Sequence, residues 1–418
     1  MIYSKKITKQ IFLNFLEYLL EKYQADVFFK NKNNPQQYTC FIGINPNEEL
    51  LIQSQTTKTE IKKFCFKNKS PTLGFLSYNY GLILKKIPSK KKNKFPYGYL
   101  KKYQTYLFYS FFLEELKIFS SDTDFLKKIE KWLNLTNTVI KQNNESPCIN
   151  KINQSISEKE YLKKVEQILK FIKQGYTYQL NLSIKFLKKI INFNFNKTFF
   201  SLLNKYPSPF FLLYKINNYD ILSTSPEKFL QVSQGKILSQ PIKGTLAFNK
   251  FSSDLIKKLQ NNPKESAELS MIVDLIRNDI SYHAEYNSVQ VKNHKSVFQV
   301  DNLLQMYSDI QGILKEKSDC LDLLFDAFPG GSVTGCPKKK SMEIIELLEP
   351  HNRDIYCGSI FLLEDEKNMD SCIAIRTAYF NKKEKIFNFF AGSGIVVDSI
   401  PQKEYLETKA KAKKFLEI

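Results

Sequence analysis

Paired cysteines are missing from this 418-residue chain. Its seven cysteines stand at 40, 65, 148, 320, 336, 357 and 372. The number is odd and none forms a C-x-x-C pair, which argues against a disulfide framework and against a zinc site. Histidine is scarce, with three residues, so a histidine-based metal site is disfavoured as well. No segment approaches the roughly 18 consecutive apolar residues of a membrane span. The apolar stretch 11–20 is broken by Asn14 and Glu17 and lacks the cleavage site of a signal peptide. Together these gaps lead us to expect a cytoplasmic protein with no membrane partner. Arginine is nearly absent too. Arg277, Arg353 and Arg376 are the three arginines among 62 basic residues.

Lysine is what the chain has in excess. Against 42 acidic residues the basic ones give a net charge of +20. Such charge can mean nucleic acid, but the lysines run along the whole chain with no basic stripe interleaved with aromatics. A nucleic-acid binder is therefore the remote alternative, and no nucleic-acid partner is expected. The field would still draw in a small anion. With 43% hydrophobic residues there is ample material for a large core, in one big domain or two.

Periodicity predicts an amphipathic helix over 7–24. Strands are predicted at 27–29, 38–43, 72–78 and 103–112. The polar residues 141–156 are the best linker candidate. A helix follows, opened by the capping box of Ser157 and Glu160 and closed by Gly175. Strands are expected at 178–183, 210–214, 221–223 and 228–232. Asn262 and Pro263 open another helix, with Met271, Ile272, Leu275 and Ile276 as its buried face. Three strands, 356–363, 372–380 and 386–391, read as a meander before a last helix at about 402–416. Strands and helices in clusters, without regular βαβ alternation, predict an α+β fold with antiparallel sheets.

Five stretches carry chemistry. Ser239-Gln240-Pro241-Ile242-Lys243-Gly244-Thr245 is predicted to turn directly after a strand, holding one lysine on a bend. A lysine kept partly dry is a nucleophile, and a solvated surface turn is the plain alternative. Glu265 and Glu268 lie three apart at one helix start, Glu404 and Glu407 three apart at another. Two such pairs can share Mg²⁺, or can simply be solvated acids favoured by the helix dipoles. The loop Gly330 to Gly335 ends at a helix N-terminus and can hold an anion. It is no Walker loop, since Cys336-Pro337 stands where Lys-Ser/Thr is needed. Arg376, in an apolar strand, suggests bidentate recognition of a carboxylate or a structural ion pair. Ser225-Pro226-Glu227 is a tight turn whose carboxyl can serve as a general acid if desolvated.

As a set these stretches resemble the chorismate-utilising enzymes. The resemblance rests on residues 175–183, Ser225 to Leu230, Pro241 to Thr245, Ala267-Glu268 through Asp279, Pro329 to Lys338, Tyr356-Cys357-Gly358, Met369 to Thr377, and Ala391 to Ser399 with Glu404 and Glu407. It covers the chain from about 157 to its end and, more loosely, residues 74–78. It implies a large two-layered antiparallel β-sandwich flanked by helices, with an N-terminal region at 1–140 and a chorismate-binding catalytic domain at 155–418.

The resemblance also implies roles. Lys243 would attack the chorismate ring while Glu227 protonates the departing hydroxyl, and Thr334 would line the pocket. Mg²⁺ would sit on Glu268 and Glu407 with Glu265 and Glu404 close by. Arg376, Tyr356 and the backbone of Gly392, Ser393 and Gly394 would hold the enolpyruvyl carboxylate, and Lys411 would also bind the substrate. Gln179 stands where water-using members carry a lysine, so ammonia is the expected nucleophile. Anthranilate-forming members read Pro-Ile-Ala-Gly-Thr at the turn. Pro-Ile-Lys-Gly-Thr is the form of the branch that makes 4-amino-4-deoxychorismate. Ammonia would come from solution or from a glutaminase subunit in a heterodimer. Two positions depart from the family pattern: Gln305, where many members carry histidine, and Tyr176, where aspartate is usual.

Overall fold

The computed structural model describes residues 2–31, 38–135, 152–206, 208–248, 251–300 and 303–418. Among them lie eleven α-helices and twenty strands, and every strand pairing is antiparallel.

The strand Gly98–Ser110 is where two layers part. One of its edges carries Tyr38–Ile52. The other carries Thr72–Leu76 on the first half and Glu115–Phe119 on the second. From Tyr38–Ile52 the first layer runs through Ala25–Asn31, Phe211–Ile216, Tyr219–Ser223, Thr377–Asn381, Ile386–Ile395 and Gln179–Lys189. From Thr72–Leu76 the second runs through Ser359–Asp365, Asn368–Ile373, Lys228–Ser233, Lys236–Ser239 and Leu303–Ile313. Strands before residue 135 thus pair with strands after 152 in both layers. The stretch 136–151 lies outside the described residues, whereas Ile152–Gln154 pairs with Gln179–Lys189. Buried aromatics such as Phe12, Phe15, Phe28, Phe41 and Phe75 fill the core. Each contributes roughly 1.5–3 kcal/mol by leaving water.

Local sequence accounts for the helices that frame the site. Ser157 and Glu160 form the expected capping box for Glu158–Lys173. The Asn262 side chain accepts from the N–H groups of Lys264 and Glu265 and starts Pro263–Ser281. That helix buries Leu269, Ile272, Val273, Ile276 and Ile280, one stripe at helical spacing. Met271 and Leu275, expected in the buried face, are only partly covered.

Four expectations are corrected. The chain does not turn at Pro241: Lys236–Ser239 and Ile242–Ala247 lie end to end on the same partner, Leu303–Ile313. The run 372–380 is two strands, Asn368–Ile373 and Thr377–Asn381, one in each layer. Arg376 sits at the crossing with φ +50°, a conformation non-glycine residues seldom take, so it is not a mid-strand residue. Gly392-Ser393-Gly394 lies past the strand expected at 386–391 but inside the observed Ile386–Ile395, paired with Ser183, Leu182 and Asn181. Finally, the strand at 72 ends at Leu76, and Ser77 precedes a helix, Tyr78–Leu84.

Candidate active site

A cavity of about 550 Å³ opens between the layers, around the Arg376 crossing. Lys243 is on its wall, opposite Met306 in the ladder. The register slips between Lys243 and Thr245, leaving Gly244 as a bulge at φ +72°. A Cβ on Gly244 would lie 3.3 Å from Glu265 Cβ, so the position wants glycine for both its φ and its neighbour. The Lys243 side chain is 18% exposed and its Nζ stands 3.9 Å from Glu268 Oε2. The amine therefore faces the cavity, not open solvent.

Glu227 lines the same cavity from the turn before Lys228–Ser233. The turn is fixed by Ser225, whose hydroxyl donates to the Ile373 carbonyl (2.6 Å) and accepts from the Glu227 N–H (3.3 Å). Glu227 Oε1 accepts from the Ser332 hydroxyl at 2.7 Å. Burial raises its pKa, against the pull of that hydrogen bond and of Lys243 and Lys411. A carboxyl so placed keeps its proton longer than an exposed one and can donate it.

Cations also line the cavity. Arg376 donates to the Lys411 carbonyl, and its own carbonyl accepts from the Thr224 N–H at 2.9 Å. Tyr356 is buried and stacks on Phe390 with rings 5.4 Å apart. Its hydroxyl is 3.0 Å from where a Cβ on Gly392 would be. Lys411 donates to the Gly392 carbonyl (3.3 Å) and to Glu407 Oε1 (2.5 Å). Burial lowers the Lys411 pKa, with Glu407 working against that and Lys243 and Arg376 adding to it. An arginine, a lysine and a phenol on one cavity wall form a recognition surface for a carboxylate.

Glu265, Glu268, Glu404 and Glu407 all line this cavity, brought together by Pro263–Ser281 and Pro401–Leu416. Burial raises the Glu268 pKa; Lys243 opposes the rise, and Glu265 and Glu404 add to it. Carboxylates are hard oxygen donors of the kind Mg²⁺ takes, so the chemistry of the donor set suits the ion. Their side chains are otherwise engaged as they stand: Glu404 accepts from Ser399 at 2.7 Å and Glu407 from Lys411. Among the described residues no three acidic, histidine or cysteine side chains are grouped closely enough to hold an ion in this arrangement.

Three expected site residues stand behind the wall instead of on it. Thr334 is fully buried and its hydroxyl donates to the Gly330 carbonyl at 2.9 Å, so it shapes the loop. The Ser393 hydroxyl meets Tyr161 at 2.9 Å. Gln179 is 1% exposed; its Nε2 lies 2.7 Å from a Cβ placed on Gly394, and its Oε1 has no hydrogen-bond partner. Ser332, Asn181, Lys264 and Gln305 line the cavity without having been singled out for binding. Ser332 and Asn181 lie inside stretches already marked, and their facing toward the site is a matter of tertiary packing. Arg353 was also passed over. It is buried, grips both oxygens of Glu349 at 2.8 and 2.9 Å, and donates to the carbonyls of Asn181 and Val333. It braces the cavity wall from behind.

A two-layered antiparallel sandwich with a lysine, a buried acid and four carboxylates on one cavity defines the class. The chain belongs to the chorismate-binding enzyme family, whose model matches residues 24–417. Anthranilate synthase component 1 of Aquifex aeolicus (strain VF5) is 35% identical over 294 residues, 69% of this chain and 58% of that protein. Aminodeoxychorismate synthase component 1 of Klebsiella aerogenes is 39% identical over 265 residues, 63% of this chain and 58% of that protein. The chain thus spans somewhat more than half the length of these relatives. The crystal structure of anthranilate synthase component I from Streptococcus pneumoniae TIGR4 superposes with a TM-score of 0.80 at 25% identity, covering 92% of this chain and 93% of that one. No helix among the described residues is long and apolar enough to cross a membrane.

Proposed function

We propose that this chain is the large component of an aminodeoxychorismate synthase, converting chorismate and ammonia to 4-amino-4-deoxychorismate. The observation that carries the reading is Lys243, an amine on the wall of a half-closed cavity that also holds Glu227. The Nζ lone pair forms a bond to a ring carbon as the ring's C–O bond breaks. Glu227 gives its proton to the departing hydroxyl, which leaves as water. The secondary ammonium adduct then yields to ammonia: a new C–N bond forms and the bond to Nζ breaks, its electron pair returning to lysine. The product's surplus proton goes back to the Glu227 carboxylate. One difficult displacement becomes two easier ones.

Arg376, Tyr356, Lys411 and the edge of Gly392 to Gly394 orient the enolpyruvyl carboxylate. Mg²⁺ on Glu268 and Glu407, beside Glu265 and Glu404, would neutralise the ring carboxylate. Ammonia arrives from solution or from a separate glutaminase subunit.

Anthranilate formation is the competing reading, favoured by the name of the Aquifex aeolicus relative. Incubation with chorismate, ammonium and Mg²⁺ separates the two. Mass spectrometry of a trapped sample should find an adduct on Lys243, and product analysis should find 4-amino-4-deoxychorismate. Anthranilate with pyruvate, formed equally well by Lys243→Ala, would replace the first reading with the second. No chorismate turnover would remove both.

A further inference from the structure

Arg376 stands between Asn368–Ile373 and Thr377–Asn381, with its backbone in the left-handed region at φ +50°. Such a conformation persists where the surroundings hold it from several sides. The helix Pro401–Leu416 holds it from two. At one end the Arg376 guanidinium donates to the Lys411 carbonyl. At the other the Arg376 carbonyl accepts from the N–H and the hydroxyl of Thr224, at 2.9 and 3.2 Å. That hydroxyl in turn accepts from Lys414 Nζ at 2.9 Å. The bonds close a ring that leaves the helix at Lys411, runs through Arg376 and Thr224, and returns at Lys414.

Thr224 is buried, so its hydroxyl depends on the protein for partners. It has one proton to give, and here it gives it to Arg376. The Lys414 amine fills the accepting side, and the rotor is fixed from both directions. Lys414 stands outside the cavity lining. Its Nζ rides 4.5 Å from the centre of the Tyr206 ring, and the Tyr206 hydroxyl donates to Glu417 at 3.1 Å. Burial lowers the Lys414 pKa to about 7, with Arg376 adding to the fall. A neutral amine still donates a hydrogen bond, so the link to Thr224 outlasts the charge.

We propose that Lys414 is a positioning residue for substrate binding: it fixes the Thr224 hydroxyl, which fixes the Arg376 backbone and with it the guanidinium that meets the substrate carboxylate. One helix then carries Glu404 and Glu407 toward the cavity and both holds on Arg376. The inference rests on the chorismate reading above.

Steady-state constants of the intact enzyme test it, measured at about pH 8.5, where a lysine so lowered is mostly uncharged. Lys414→Met should raise the KM for chorismate about fivefold or more with kcat within about twofold, the signature of a lost binding contact. Lys414→Arg, which keeps a donor for Thr224, should stay within about twofold of the parent in both constants. Thr224→Val breaks the same link from its other end. Adding Lys414→Met to it should move KM by no more than about twofold, because the two residues act in series. Melting curves check that each variant is folded, and Lys414→Ala takes the place of Lys414→Met should the latter fail to fold. An unchanged KM in Lys414→Met, or full additivity with Thr224→Val, would overturn the proposal. So would a rise in KM seen only below about pH 7, which would mark Lys414 as a distant charge and not a prop. Calorimetry with chorismate and no ammonia separates the two readings: an unaltered enzyme that binds no chorismate would strike the chorismate reading, and this proposal with it.

Discussion

Glu227 is buried beside Ser332, and burial holds its proton to a higher pH than an exposed glutamate would keep it. In the proposed reaction only the protonated form can donate, so turnover should hold steady below the raised pKa and decline as pH climbs through it. Glu227→Gln should lower kcat by about 10²–10⁴, the usual contribution of a positioned acid, and should remove that alkaline limb from the pH profile of kcat. Gly244 invites a second test. Alanine there would carry a left-handed φ costing about 1–2 kcal/mol and would crowd Glu265. Gly244→Ala should lower both the melting temperature and kcat, whereas Gly235→Ala, at φ +76° with open space around it, should lower the melting temperature alone. Arg376 belongs at this scale too: its positive φ is held by two hydrogen bonds from Thr224 to its carbonyl, at 2.9 and 3.2 Å.

The helix Lys338–Leu348 ends in Glu349, and the bond from there to Arg353 ties it to Asn181 and Val333 on the cavity wall. Burial disfavours charge on Glu349, but the Arg353 guanidinium outweighs it and holds the carboxyl down at about 2. Burial also lowers His351, to about 4. Both folded-state values lie below the ordinary ones, so their contribution is whole at neutral pH. It should fall as pH drops from about 6.5 toward 4 for His351 and from about 4.5 toward 2 for Glu349. Melting curves across that range check the sign. Arg353→Met leaves a buried carboxylate unpaired and should cost roughly 3–5 kcal/mol, read as a lower melting temperature. Most elements were legible in the sequence where a local signal exists, such as the Ser157 box and the Asn262-Pro263 start. What was not legible depended on distant partners. A second strand parked end to end on Leu303–Ile313 looks locally like a turn, because Pro241 and Gly244 are turn residues. A glycine pair inside Ile386–Ile395 looks like a loop until Leu182 and Gln179 are packed against it. The acids and Lys243 were legible because their spacing and company are local, whereas Arg353 acts through carbonyls that lie some 20 and 172 residues away.

Across the molecule the two layers interleave early and late strands, with Leu76 opposite Ser359 and Val27 opposite Leu213. A chain begun at residue 152 would expose both of those strand edges. It should be insoluble or lack a cooperative melt, and a soluble, cooperatively melting product would contradict this. The +20 charge acts at the same scale. Raising ionic strength from about 0.05 to about 0.5 M shortens the screening length and should lower kcat/KM for the anionic substrate several-fold with little change in kcat.

Between Ser239 and Ile242 the chain spends two residues, and their partner strand spends two between Tyr307 and Ile310. The count leaves no slack. Loops such as 382–385 should tolerate a change of length, but a one-residue insertion or deletion at 240–241 would reverse the facing of Ile242 and Lys243 on their partner strand. The amine at 243 would then turn its back on the substrate, so among descendants of this chain that dipeptide should drift in identity and never in length.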